Sequence, residues 1–438
     1  MAGAGEANDL TVTVAGEEGP FYDLRVVDAA ASIEPGPGCD GGGAVGVAVH
    51  CKVHKPTPGD HYVCFKGCHY TPGTRWELGL TFRLGDGGSR LDTTALPAYA
   101  GDPQQPWASS PLTTVTVASG AGDDTVLTGA GPDRIESSPG ADLVRTGDGS
   151  DRFEGGSLPD GPDDVLLGSG SDAIDYSART DAVHYDPNGL ADDGGAGEGD
   201  NLGLVATVET GAGADTLAGP AAPSEHSAHL IGGPGDDTIR GGPGDDELFG
   251  GSGDDRLFGG EGDDQLMDPS WGAMGSDSGN DIGAGEAGED EIALGSGDDQ
   301  AFGGAGGDRI ALDAGSDRAT GDAGADLIQL GPGPDQGAGG TGDDLLLAGQ
   351  GRDEIRGEQG NDRLSGDAGR DSVFGGAGGD RIAAGMVAAG VLELPESSGR
   401  QVRSREVPIA STAARAGTAS RSGRATRFPA ASPPRPRS

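Results

Sequence analysis

GGPGDDTIR GGPGDDELF GGSGDDRLF GGEGDDQLM, residues 232–267, is a nine-residue phrase written four times. The phrase reads GGxGxDxUx, with U apolar, and its positions are numbered 1 to 9 below. Downstream, residues 276–383 divide into twelve more nonads in which the fourth residue is always Gly and the sixth always Asp. The two blocks are separated by an out-of-phase stretch, DPSWGAMG, at 268–275. Upstream, four looser copies fill 119–154, with Asp124, Asp133, Asp142 and Asp151 at position 6 and Val126, Ile135, Val144 and Phe153 at U. Isolated copies recur around Asp172 and Asp215.

Glycines at positions 1, 2 and 4 permit the positive φ of a tight turn and leave carbonyls uncovered. In the first block these are Gly232, Gly233 and Gly235, then Gly241 and Gly244, Gly250 and Gly253, Gly259 and Gly262. Position 6 adds one carboxylate per turn: Asp237, Asp246, Asp255 and Asp264 in the first block. In the second block it is Asp281, Asp290, Asp299, Asp308, Asp317, Asp326, Asp335, Asp344, Asp353, Asp362, Asp371 and Asp380. Ca²⁺ takes six to eight oxygen ligands, and one such turn offers about half that number. Two stacked turns complete the shell. The remaining x-U-x is a short strand with one inward side chain, so two nonads make an eighteen-residue coil. Multiple Ca²⁺ ions are then expected between repeat n and repeat n+2.

The eighteen-residue period shows in the second block. Ile292, Ile310, Ile328 and Leu346 are large at U, whereas Gly283, Ala301, Ala319 and Gly337 between them are small. Leu294, Leu312 and Leu330, two places after the large U residues, are placed to fill the space opposite the small ones. Each occupies position 1 of the turn that follows, so the turns ending at Asp299, Asp317 and Asp335 begin with Leu. Those ending at Asp290, Asp308, Asp326, Asp344, Asp362 and Asp380 begin with Gly. Calcium is expected to bind more strongly along the Gly-headed column.

Gly supplies 87 of 438 residues and aromatics only 4%, so stacking, backbone hydrogen bonds and metal must replace a conventional core. The formal charge of −43 makes nucleic acid and anionic membranes poor partners. Carboxylates about 5 Å apart in adjacent coils repel by roughly 1 kcal/mol per pair in water and more in the interior, so the metal-free array is expected to be largely unfolded. A Gly/Asp-rich disordered segment is the bland alternative, but disorder does not require an apolar residue two places after each Asp.

Four segments follow from composition. Residues 1–118 read as a small β-rich domain, with alternating stretches such as Leu10–Val14 and Leu78–Leu84. All four cysteines lie there, and two readings compete: disulfides, most simply Cys39 with Cys51 and Cys64 with Cys68, or zinc held by His54, Cys64, Cys68 and Cys51 or His69. Residues 119–218 hold the looser repeats and an insert, DYSARTDAVHYDPNGLADDGGAGEGDN, whose Asp192, Asp193, Glu198 and Asp200 suggest a solvated acidic loop more than an ion site. Residues 219–385 are the main array, expected to make about eight coils. Residues 386–438 carry nine Arg against three Glu and read as a disordered basic tail. No run of 18 apolar residues indicates a membrane span, and no signal-peptide core follows Met1.

The repeats resemble those of hemolysin-type (RTX) calcium-binding proteins. The resemblance implies an all-β fold, a right-handed parallel β-roll with Ca²⁺ between successive GGxGxD turns, here preceded by the small β-rich domain. The N-terminal cysteine region and the insert are similar to secreted, enzyme-free members from actinobacteria, which implies an extracellular calcium-binding protein. Unlike toxin members, the chain has no apolar pore-forming region, and its Arg-rich end lacks the features of their secretion signal. Two other readings stand beside it. One is a surface adhesin or structural spacer that engages a cell-envelope polymer or surface ligand. The other is a secreted hydrolase, for which neither HExxH nor GxSxG is found.

Overall fold

The computed structural model describes residues 9–18, 21–28, 39–41, 49–54, 78–84, 88–94, 113–158, 161–221, 227–268, 279–383 and 402–403. Among them every regular element is a β-strand. A 15-stranded sheet runs from Leu78–Arg83 to Arg381–Ala383, and all its neighbouring strands are parallel. The alternate strands of the coil lie in two further sheets that follow one another. The first includes Arg90–Asp92, Thr125–Leu127, Leu143–Arg145, Asp164–Leu166 and Asn201–Leu202, and the second runs from Val183–Tyr185 to Ser372–Ala377. The fold is thus a parallel β-solenoid of two nonads per coil.

Register follows from the repeat. Leu230 faces Leu248, which faces Leu266 and then Ile292, so each U residue stacks on the U residue of the next coil. The core is a double file of single side chains. Ile239, Leu248, Leu257 and Leu266 are fully buried. Each contributes about 1.5–3 kcal/mol, and the three-residue strands are held mainly by this file and the parallel ladder.

The alternation of bulk appears as two unlike walls. Ile292, Ile310, Ile328 and Leu346 stack in the 15-stranded sheet, and Gly283, Ala301, Ala319 and Gly337 stack opposite. Leu294, Leu312 and Leu330 turn inward and are buried. A Cβ on Gly283 would lie 2.9 Å from Cγ2 of Ile292 and 3.3 Å from Cδ2 of Leu294. Small residues on one wall therefore make room for the leucines of the other.

Parallel stacking is already present upstream of residue 119. Leu78–Arg83 pairs with Thr113–Ala118, which pairs with Arg134–Glu136, and Arg90–Asp92 pairs with Thr125–Leu127. These coils carry the alternating apolar pattern without the glycine turns, and together with the coils of 119–218 they make the stack longer than the eight coils read from 219–385. Asp9–Glu18 joins Arg90–Asp92 in parallel and continues into antiparallel pairing with Phe21–Asp28, Val49–His54 and Cys39–Gly41. That register sets Cys39 opposite Cys51. Cys64, Cys68 and His69 lie outside the described residues, as does the basic tail apart from Val402–Arg403, which pairs antiparallel with Ser372 and Val373.

Candidate metal centre

The position-6 aspartates form two columns, one along each edge of the roll. Asp237, Asp255, Asp281, Asp299, Asp317, Asp335, Asp353 and Asp371 make one; Asp246, Asp264, Asp290, Asp308, Asp326, Asp344, Asp362 and Asp380 make the other. Within a column each backbone N–H donates to Oδ1 of the aspartate one coil further on, as from Asp308 to Asp326 (2.9 Å) and from Asp317 to Asp335 (2.9 Å). All are buried except Asp380, at the end of the described stack, which is half-buried.

The second carboxylate oxygen is different. Oδ2 of Asp237, Asp246, Asp264, Asp290, Asp308, Asp317, Asp326, Asp335, Asp344, Asp353 and Asp362 is buried and accepts no hydrogen bond. One such oxygen is costly, because a buried charged acceptor without a partner forfeits its hydration. A periodic file of them is the donor set of a hard cation.

The glycines explain how the file is shaped. A Cβ on Gly321 would lie 2.1 Å from Oδ2 of Asp326 and 2.7 Å from the carbonyl oxygen of Gly339, and one on Gly303 would meet Asp308 and Gly321 at 2.3 and 2.9 Å. The same holds at Gly232 with Asp237 and Gly250, at Gly259 with Asp264 and Gly285, and, for the carboxylate contact, at Gly241 with Asp246 and Gly250 with Asp255. A carboxylate oxygen and, at most of these turns, a carbonyl of the next coil therefore converge on the space that a side chain would fill. Positive φ is not the reason for position 1, since none of these glycines adopts it. That corrects the expectation for position 1, where the requirement is space.

Position 4 is Gly for a third reason. A Cβ on Gly306 would sit 1.5 Å from the carbonyl oxygen of Gly288, and one on Gly315 would sit 1.6 Å from that of Gly297. The turns stack too closely for any side chain there. Gly235, Gly244, Gly253 and Gly262 also have positive φ, as do Gly233, Gly242, Gly251 and Gly260 at position 2.

Burial pushes the carboxyl groups of Asp237, Asp264 and Asp335 up to about 7. It pushes those of Asp290, Asp317, Asp326, Asp353 and Asp362 up to about 6. Loss of hydration is the main cause, neighbouring carboxylates add to it, and the backbone N–H donor opposes it. Without a cation the columns resist ionisation at neutral pH; a divalent ion removes that resistance.

The description that matches this chain is the RTX calcium-binding nonapeptide repeat, at residues 118–153, at 231–266, and in overlapping segments from 276 to 382. The chain therefore carries hemolysin-type RTX repeats over these segments. It is accordingly a calcium-binding β-roll protein. Curated proteins give no match to the chain. The RTX columns extend beyond the matched segments: Asp163 and Asp200 continue the line from Asp124 and Asp142, with the Asp163 N–H donating to Oδ1 of Asp200 at 2.9 Å.

Between the first two RTX segments, the insert is not a solvated loop. Asp193, Glu198 and Asp200 are buried, and only Asp192 of the four carboxylates is exposed. Arg179 is itself buried and grips Glu198 with both terminal nitrogens, Nη1 to Oε1 at 2.7 Å and Nη2 to Oε2 at 3.1 Å. Asp181 lies 3.6 Å from Nη1, and the Tyr176 hydroxyl donates to Oδ2 of Asp200 at 3.0 Å. Here a guanidinium supplies the positive charge inside the turn. Sequence reasoning missed Arg179 and Tyr176; the one Arg of the insert, three residues after a Tyr, was the available signal.

Proposed function

We propose that the chain is a secreted, non-enzymatic protein whose roll folds on binding several Ca²⁺ ions between stacked turns. The observation that carries this is the periodic file of buried Oδ2 atoms lacking donors, which in the Gly-headed turns lie beside a glycine with no Cβ. Bound calcium would be held by position-6 carboxylates from neighbouring coils together with turn carbonyls. The chain supplies the scaffold: Oδ1 is fixed by a backbone N–H, which leaves Oδ2 directed to the ion. Where calcium is scarce, as in cytoplasm, the columns disfavour the roll; at extracellular millimolar calcium they stabilise it. In support of a non-enzymatic role, the buried carboxylates of the array recur every coil, as a structural ladder does, and do not converge on one cleft. The length of the stack, fifteen strands or about 70 Å at ~4.8 Å per strand, favours a spacer as a second reading.

Far-ultraviolet circular dichroism of the full chain during calcium titration, with Mg²⁺ as control, tests the main reading. A cooperative gain of β signal near millimolar Ca²⁺ is expected, and little with Mg²⁺. An apo chain already fully folded at neutral pH would sink it.

A further inference from the structure

The interruption between the two repeat blocks creates a constellation that the nonapeptide pattern does not contain. Gln265–Met267 ends where the next turn should begin with Gly, and position 1 of that turn is Asp268. Its backbone N–H donates to the Ala293 carbonyl at 2.8 Å, and its Oδ1 accepts from Gly251 N–H at 2.9 Å. Two neighbouring coils thus fix this carboxylate. Its Oδ2 is buried, with Asp268 only 1% exposed; no N–H or hydroxyl donates to it, and the Asp268 carboxyl meets that of Asp281 instead.

That group points at two members of a column. One oxygen from each of Asp255, Asp268 and Asp281 lies within 4.8 Å of the others, and all three residues are buried. Asp255 and Asp281 belong to successive coils, joined by the Asp255 N–H donating to Oδ1 of Asp281 at 2.8 Å. An ordinary turn brings one carboxylate beside a bare glycine. Here the missing Cβ is restored and carries a second acid.

We propose that Asp268 adds a third carboxylate to the Ca²⁺ site between Asp255 and Asp281 at the junction of the two blocks. The proposal rests on the calcium-roll reading and extends it to a residue outside the repeat phase. Carboxylate oxygens suit Ca²⁺, and affinity rises with the charge of the ligand set and its rigidity. Three converging acids therefore mark the tightest site in the array and the one loaded first. The junction, instead of being a break in the roll, clamps the two blocks together.

The test counts radiolabelled Ca²⁺ on the full chain by equilibrium dialysis, for the wild type, Asp268→Asn and Asp268→Gly. Asn keeps the shape and the acceptor for Gly251; Gly restores the residue that the repeat has at this position. Each variant is expected to lose the highest-affinity class, its ion then binding with the affinity of an ordinary repeat turn, while still gaining β signal in saturating calcium. A folded variant that binds the wild-type number at wild-type affinity overturns the site. A wild type that binds no calcium overturns instead the calcium-roll reading beneath it. Eu³⁺ on the wild-type chain gives a reading independent of variant folding, because its excitation line shifts with ligand charge. One ion resolved from the repeat ions toward higher ligand charge supports the site, and a single class of line overturns it.

Discussion

Two columns of turns, built from the same nonapeptide, solve their chemistry differently. In the column ending at Asp290, Asp308, Asp326, Asp344 and Asp362, position 1 is Gly and position 2 has positive φ, as at Gly304 (112°), Gly340 (109°) and even Glu286 (76°) and Asp322 (68°). Position 4 is also left-handed, at 143–151° from Gly288 to Gly342. In the opposite column Leu294, Leu312 and Leu330 take position 1, and Gly297, Gly315 and Gly333 lie outside the left-handed region. The turn hydrogen bonds differ too: Gly306 and Gly324 donate to the next coil at 2.7 and 2.8 Å, whereas Gly297 and Gly315 donate at 3.1 and 3.2 Å. One column keeps the space beside its carboxylate open, and the other uses the same space to bury a leucine. A single repeat can thus be spent on ion binding or on core.

The strongest way to break this comparison is to remove carboxylates from one column at a time. Asp308→Ala with Asp326→Ala is expected to lower the calcium stoichiometry and raise the folding midpoint about tenfold or more, some 1.4 kcal/mol or above. Asp317→Ala with Asp335→Ala should shift it less. Equal shifts in titrations followed by circular dichroism would show that the two columns bind alike. Leu312→Ala tests the opposite column through its packing: it is expected to cost about 2–5 kcal/mol of stability in saturating calcium through the cavity it leaves, with little change in stoichiometry. Thermal or urea unfolding measures it. Smaller again is Gly321→Ala: its methyl would lie 2.1 Å from Oδ2 of Asp326, so the loss, about 1–3 kcal/mol, should appear as weaker calcium binding in calorimetry.

Much of this was legible because the roll is periodic. Gly at every fourth position and Asp at every sixth gave the turn, and the alternation of Ile310 with Ala301 gave the eighteen-residue coil. The causes were less legible. Gly321 and Gly306 look alike as letters, yet one clears the carboxylate of its own turn, Asp326, and the other clears the Gly288 carbonyl of the preceding coil, a contact that only the stacking creates. Asp268 was passed over because the phase is lost there and its partner, Gly251, lies in the previous coil. The insert misled for a related reason: acidic composition suggests solvent, but Arg179 sits among its carboxylates and lets them be buried. Upstream coils such as Leu78–Arg83 stack without any nonapeptide, so no count of motifs could have found them.

The smallest effect separates proton from metal as the counter-charge of both columns. In the folded apo chain Asp264 and Asp335 titrate up to about 7, and Asp326 and Asp353 up to about 6, all above the ordinary carboxyl value of 3.8 because burial strips their hydration. A folded-state value above the unfolded one means that the folded chain binds the proton more tightly. The resulting stability is fully present below about pH 4 and is lost as pH rises through 6 to 7. Calcium has the opposite dependence, since it must displace those protons. With a chelator present, β signal should therefore be greater at pH 4 than at pH 8. With limiting calcium, the affinity should climb between pH 5 and 7.5. Asp335 lies in the Leu-headed column and Asp264 in the other, so both columns should contribute to this climb. Calcium binding that is flat across that window, measured by calorimetry in buffers of different ionisation heat, would mean that no proton is displaced and that the carboxylates are charged before the ion arrives.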